Sequence, residues 1–393
     1  MVVGASENLG VGPGNIERGR VERIARQALG VEAATVGDWR VDVVEAGMGA
    51  ATGGIYRVAG SAVAGGSRVS WSAILKVVCL NAQRVQAAFE DEAHPLYWKR
   101  EALAYTSGLL DDLPGGVKAP RCYGVEEVDE FTCWLWLEEV KDAGTKLWGL
   151  EQYARAAGCL GRFNGAYLAG RSMPDYPWLI RTGSPRGLLA HSAWIHEAIA
   201  NPRTWQHPLM RAAFPVPVVD RLLRLWDERE GLLSALDRVP QTFGHLDAWR
   251  RNMFATEGAD GSPGLTLIDW AYPGRAAVGT DAGDLFGESF CLSELGDTGP
   301  ASLDEAIFES YVAGLREAGW GGDVRLVRFA FTAFCALKHL FLIFVSLGDV
   351  ANKDRRVTWE RLFGRAFGDY VGRQAVHLYY LVDLGEEARR LLP

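Results

Sequence analysis

The sequence predicts an α+β chain in two lobes: an N-terminal lobe built on an antiparallel β-sheet with a helix, and a mostly helical C-terminal lobe. Three observations carry this bilobal reading. Up to residue 140 the apolar residues come in short strand-like runs, many with period two. Beyond it they recur at helical spacing. The 393 residues, 48% of them hydrophobic, suffice for one large core or two, and the length suggests two or three domains or lobes. The lobes are placed at 1–139 and 140–393.

Ile16 to Leu29 has helical periodicity with charged partners and predicts a short N-terminal helix. Val41 to Ala46 reads as a strand, followed by the turn Gly47 to Gly54 and a second strand, Ile55 to Val58. A glycine-rich turn between strands forms a flap whose N–H groups can approach anionic oxygens without a Cβ in the way. The spacing misses Gly-x-Gly-x-x-Gly by one residue, and a plain hairpin turn fits this stretch equally well. The next strand, Trp71 to Cys79, holds Lys76 between Leu75 and Val77. A lysine inside an apolar strand is costly unless its ammonium meets an anion or reaches the solvent edge. Glu101 lies on the predicted helix Pro95 to Leu110, with Glu90 and Glu92 as alternative partners. Strands near Pro120 to Val125 and Phe131 to Leu137 follow, and the second leads into Glu138-Glu139-Val140.

In the second lobe, Glu151 to Leu168, Leu188 to Ala198 and Val218 to Leu236 read as helices. Met173 to Trp178 and Pro202 to Pro217, rich in Pro and Trp, read as irregular. Ser302 to Ala318, Val324 to Leu347 and Arg356 to Leu381 are again helical.

A net charge of −8 with no long basic cluster argues against a nucleic-acid partner. The six cysteines form no Cys-x-x-Cys pair and no zinc-ligand spacing, which points to free thiols. The start of the chain is Gly-rich and lacks the pattern of a secretory signal. The most apolar run, Phe329 to Leu347, is interrupted by Lys338-His339 and reads as a buried helix rather than a membrane span. A cytoplasmic protein without a membrane partner is expected, as monomer or homodimer.

The chemistry concentrates in Gly244-His245-Leu246-Asp247-Ala248-Trp249-Arg250-Arg251-Asn252 and, after the apolar run Leu265 to Ile268, in Asp269-Trp270. A carboxylate, an amide five residues later and a second carboxylate beyond a hairpin is the set that phosphoryl transfer needs. One Asp orients the acceptor hydroxyl and takes its proton, while an Asn and another Asp hold Mg²⁺ against nucleotide phosphates.

On these residues the chain resembles the aminoglycoside phosphotransferases and their choline-kinase-like relatives, which share a protein-kinase-like fold. The family pattern His-x-Asp-x-x-x-x-Asn, an apolar strand ending in Ile-Asp-Trp, and an Asp-Leu pair is matched by His245, Asp247, Asn252, Leu267-Ile268-Asp269-Trp270 and Asp284-Leu285. The resemblance spans roughly residues 36 to 345, with its specific part in 243–286. It implies Asp247 as catalytic base, with His245 supporting the loop and Asp284 bracing it from a helix start. Asn252 and Asp269 would bind Mg²⁺. Lys76, oriented by Glu101, would contact the α- and β-phosphates of ATP or GTP. Gly49, Thr52 and Gly53 would lie over the phosphates, and the backbone around Glu139 and Val140 would meet the base. Arg250 or Arg251 would offer charge to the transferring group, with Arg251 placed at the catalytic centre; a surface arginine fits equally well.

Three departures bear on this. Leu246 stands where the family often has Gly. The flap spacing differs. No Ala-Pro-Glu follows Asp269, so no peptide platform is predicted and the acceptor is a small hydroxylated molecule. Residues 285–393 carry 15 acidic and 12 basic residues, a net of −3, which is weak for a polycation pocket. Together with the aromatic residues there, this points to a less charged acceptor such as a nucleoside or a sugar-bearing antibiotic or metabolite. The alternative is a catalytically silent nucleotide-binding regulatory protein, which has no need of Lys76, Asp247, Asn252 and Asp269 together. A hydrolase elbow, a Walker A sequence and a zinc-protease helix are absent; after His196-Glu197, position 200 is Ala.

Overall fold

The computed structural model describes residues 16–45, 51–80, 87–141, 148–183, 185–190, 193–257, 261–291, 298–347, 350, 354, 356–357, 360–361 and 366–393. The first lobe runs α1 (Arg18–Leu29), β1 (Thr35–Glu45), β2 (Thr52–Ala64), β3 (Ser67–Cys79), α2 (Arg100–Thr106), β4 (Val117–Lys118), β5 (Cys122–Asp129) and β6 (Thr132–Leu137). All strands but β4 form one antiparallel sheet, in the order β1-β2-β3-β6-β5. The strand expected over 55–58 is the middle of a much longer one. Gly65 and Gly66, with φ of 55° and 81°, let β2 and β3 pair along their full length through a two-residue turn.

Alternation along β3 divides two cores. Ala73, Leu75 and Val77 join the face that α1 covers with Val21, Ile24 and Ala25. Val78 lies on the other face, packed with Trp98 and Ala102 beside α2, and Lys76 shares its phase. The N-terminal helix is therefore part of the sheet's packing. Its Arg20 and Arg23 also pair with Glu126 of β5.

The second lobe contains α3 (Leu150–Leu168), α4 (Arg186–Ala190), α5 (Ala193–Ala200), α6 (Pro202–Gln206), α7 (Pro208–Ala213) and α8 (Val219–Leu236). The hairpin region follows: β7 (Gln241–Gly244), β8 (Met253–Glu257), β9 (Pro263–Leu267) and β10 (Gly274–Ala277). It ends with α9 (Thr280–Cys291), α10 (Pro300–Glu317), α11 (Val324–Leu347) and α12 (Phe367–Leu391). β7 pairs with β10, β8 with β9, and β4 of the first lobe adds to β9 in parallel.

Three expectations need correction. Pro202 to Pro217 is not wholly irregular: Asn201 and His207 cap two short helices there, each with Pro at its first turn. The helix expected over 95–110 forms only at 100–106, because 95–99 is held in turns. The last helix runs to Leu391.

Glycines set the spacing of α3 and α10. A Cβ on Gly161 would stand 2.1 Å from the Tyr311 carbonyl oxygen, and one on Gly314 would stand 2.2 Å from that of Gly158. Close approach puts Asn164 of α3 beside Tyr311 of α10. No described helix is long and apolar enough to cross a membrane.

Candidate active site

Lys76 is 6% exposed and Glu101 3%, on β3 and α2. The Lys76 ammonium lies 2.6 Å from Glu101 Oε2 and 2.7 Å from Asp269 Oδ1. The costly lysine has thus found two anions, and Glu90 and Glu92 are not its partners. Burial lowers the Lys76 pKa, but Asp269 and Glu101 outweigh it and hold the ammonium above its ordinary value. Burial raises Glu101 against the pull of Lys76. For Asp269 burial is overcome by Lys76, and its carboxyl stays below the ordinary value. One ammonium thus serves two carboxylates, leaving a net negative charge for a cation to meet.

The loop between β7 and β8 carries Asp247 and Asn252. The Asn252 amide donates to Asp247 Oδ2 at 2.9 Å and to the Asp247 carbonyl at 3.0 Å. The Ile268 N–H donates to the Asn252 carbonyl at 3.0 Å, joining this loop to the Asp269 turn. Burial pushes the Asp247 carboxyl up to about 7, against the opposing charge of Lys338. His245 lies fully buried beneath the loop. Its Nε2–H donates to the Ile268 carbonyl at 2.9 Å, and its ring meets Trp270 edge-on at 4.6 Å. Burial pulls its pKa down to about 4. A neutral imidazole thus ties the start of this loop to the strand end before Asp269.

Two residues here hold left-handed backbone, Leu246 with φ 61° and Asp269 with φ 62°. Such conformations cost roughly 1–2 kcal/mol outside glycine. This is the physical reason a Gly suits position 246. The strain is held by Asp281, whose carboxylate accepts the N–H of Leu246 at 2.9 Å and of His245 at 3.1 Å. Asn164 donates to the same carboxylate at 3.0 Å and to the Phe243 carbonyl at 2.9 Å. The Tyr311 hydroxyl donates to Asn164 Oδ1 at 2.8 Å. The expected brace was Asp284, and here the structure corrects the sequence. Asp284, fully buried one turn further along α9, pairs with Lys338 instead and has His339 Nε2 at 3.4 Å. Glu288 lies 3.9 Å from the same ammonium.

Of the flap, Gly49 lies outside the described residues. Thr52 lines a small recess with Tyr97, Glu101, Asp269 and Tyr272. Gly53 is inside β2, where a Cβ would stand 2.9 Å from Cys79 Sγ, so its small size serves strand packing. In the connector, the Glu138 N–H is taken by the Arg121 carbonyl, and the Glu139 carboxylate binds Arg57 at 2.6 Å. Arg251 was expected at the catalytic centre. It is exposed and lies over the Trp249 ring, while Arg250 lies over Trp148.

Sequence reasoning missed Asn164, Asp281, Tyr311 and Lys338. Lys338 carried a usable signal, a lysine in an apolar run, which is the signal that identified Lys76.

No family model and no curated protein matches the chain. Solved structures do. An amicoumacin kinase in complex with AMP-PNP, Ca²⁺ and Ami aligns with TM-score 0.51 and 12% identity over 88% of each chain. A spectinomycin phosphotransferase with ADP and spectinomycin aligns at 0.48 and 13%, over 94% of this chain and 99% of that one. An ethanolamine kinase of Plasmodium vivax aligns at 0.46 and 11%, over 87% and 81%. The first likeness shows that this chain has the bilobal α+β fold of a small-molecule kinase.

Proposed function

We propose that this chain, on the fold it shares with such kinases, is an ATP- or GTP-dependent phosphotransferase acting on a hydroxyl of a small molecule in the cytoplasm. The observation that supports it best is the Lys76 ammonium held between Glu101 and Asp269, in a site that also closes Asn252 onto Asp247. A silent nucleotide-binding protein has no use for the second half of that arrangement.

The residues fit Mg²⁺. Asp269 has one oxygen on Lys76 and its side chain is 35% exposed. Asn252 directs its amide hydrogens to Asp247, which leaves its carbonyl oxygen for a cation. Two hard oxygen donors, supplemented by phosphates and water, suit that ion. Bound by Asn252 and Asp269, it would neutralise charge on the nucleotide phosphates. Lys76 binds the α- and β-phosphates, with Glu101 fixing its direction. The backbone of Glu139 and Val140 meets the base, since the Glu138 N–H is already engaged. Asp247 orients the acceptor hydroxyl and receives its proton as the O–P bond forms. Asn252 and the Asp281 brace hold that carboxylate in place.

The acceptor is a weakly charged hydroxylated compound, such as a nucleoside or a sugar-bearing antibiotic or metabolite. The modest excess of acidic residues over 285–393 supports this. The test is nucleoside-diphosphate release from Mg·ATP and Mg·GTP across aminoglycosides, macrolides, nucleosides, choline and sugars, with D247A alongside. Acceptor-dependent release that vanishes in D247A is expected. Release that survives D247A, or silence across the panel, counts against the reading.

A further inference from the structure

Arg100 stands next to Glu101 on α2, is 1% exposed, and makes five hydrogen bonds, every one to a backbone carbonyl. Nε donates to Trp178 at 2.6 Å. Nη1 donates to Pro95 at 2.7 Å and to Ala271 at 3.3 Å. Nη2 donates to His94 at 2.6 Å and to Glu92 at 3.4 Å. A guanidinium has five N–H donors, so the set is complete.

These carbonyls come from three separate segments. Glu92, His94 and Pro95 precede α2. Trp178 belongs to the stretch between α3 and α4 and is packed into the core of the helical lobe. Ala271 is two residues beyond Asp269. The far end of α2 is tied to the same stretch: Tyr176, stacked on Trp178, donates its hydroxyl to the Ser107 carbonyl at 3.0 Å. Thus α2 is fastened at both ends to the second lobe. Glu101, through Lys76 and Asp269, and Arg100, through Ala271, reach the two sides of one turn.

A buried charge met by carbonyl dipoles and the Tyr97 ring is costly, and burial pulls the Arg100 pKa down to about 10. Packing alone is served as well by Leu or Met. What the guanidinium adds is a fixed fork that no single lysine reproduces.

We propose that Arg100 is a positioning residue: it bolts α2 and the turn after Asp269 to the helical lobe, and so sets Glu101, Lys76 and Asp269 in register for a metal–nucleotide. This rests on the nucleotide reading above. The register exists before ligand arrives, so α2 does not swing into place on binding.

The test measures binding of nonhydrolysable ATP and GTP analogues with and without Mg²⁺, in wild type, R100M, R100K and D269N. Amide hydrogen exchange of the apo proteins is measured alongside. The Mg²⁺-dependent gain in affinity should fall by about tenfold in R100M and less in R100K, with Mg²⁺-free affinity falling by a smaller factor. Amides of 100–106 should exchange faster in apo R100M while those of β3 and β6 stay protected. If R100M does not fold, R100K decides on the same readouts. A folded variant with the wild-type Mg²⁺ gain and unchanged exchange overturns the inference, and so does equal loss with and without Mg²⁺. A gain lost in D269N but kept in R100M sinks only the Arg100 role. A wild-type protein without any Mg²⁺ gain removes the metal–nucleotide reading as well.

Discussion

The Asp281 carboxylate accepts the backbone N–H of Leu246 at 2.9 Å, and Leu246 is one of two described non-glycine residues with positive φ. The helix start of α9 therefore fixes the backbone that aims Asp247. In D281N one acceptor oxygen becomes an NH₂ group, and a backbone N–H in this buried network loses its partner. Unfolding free energy should drop by about 1–3 kcal/mol, and the turnover number should fall more than nucleotide affinity. Denaturant melts and steady-state kinetics check both. An unchanged turnover number would mean that the loop holds its shape without the brace.

Two carboxylates share the Lys76 ammonium, so removing one negative charge and removing the positive charge have unequal consequences. D269N relieves surplus charge and should leave apo stability within about 1 kcal/mol of wild type while abolishing Mg²⁺-dependent turnover. K76M strands Glu101 and Asp269 and should destabilise by about 3–5 kcal/mol. Paired melts of the two variants decide this. Equal destabilisation would show that the ammonium is not the shared partner.

What the sequence made legible follows local rules. Lys76 stood out because a strand rejects an unpaired lysine, and Asp247, Asn252 and Asp269 because their spacing matches a loop and a hairpin. The strands followed by helices were legible from the change of period near residue 140. The remaining site residues act across distance. Asp281 reaches back 36 residues to His245, and Asn164 and Tyr311 meet across 147. Arg100 binds only carbonyl oxygens, which every residue carries, so no side-chain pattern announces its partners. Asp284 was misassigned for the same reason: Asp281 and Asp284 both sit early in α9, and three-dimensional packing decides which one faces the loop.

His245 gives stability a defined pH dependence. Its pKa falls from 6.5 to about 4 on burial, so between those values the unfolded chain binds more protons than the folded one. Stability should therefore decline as pH drops from 6.5 toward 4, by up to about 3 kcal/mol from this residue, and level off below. Above 6.5 it contributes no slope. H245Q should flatten this part of the curve in urea melts run across pH. A wild-type slope retained in H245Q would place the titration elsewhere.

Lys338 links the stability of α11 to the ionisation of Asp247. Its ammonium pairs with Asp284, which is fully buried, and its charge opposes the upward push of burial on Asp247. K338M should lose about 3–5 kcal/mol, since it leaves a buried carboxylate without its cation, and K338M/D284N should recover much of that. On the role proposed for Asp247 the rate requires its ionised form, so it should rise with pH through about 7 in wild type. Without Lys338 the carboxyl titrates higher, and the acid limb of the pH–rate profile should move to higher pH in K338M. K338R, which keeps the charge, should hold the limb in place. If K338M loses stability but its acid limb does not move, Lys338 serves the packing of α9 on α11 and has no hold on Asp247.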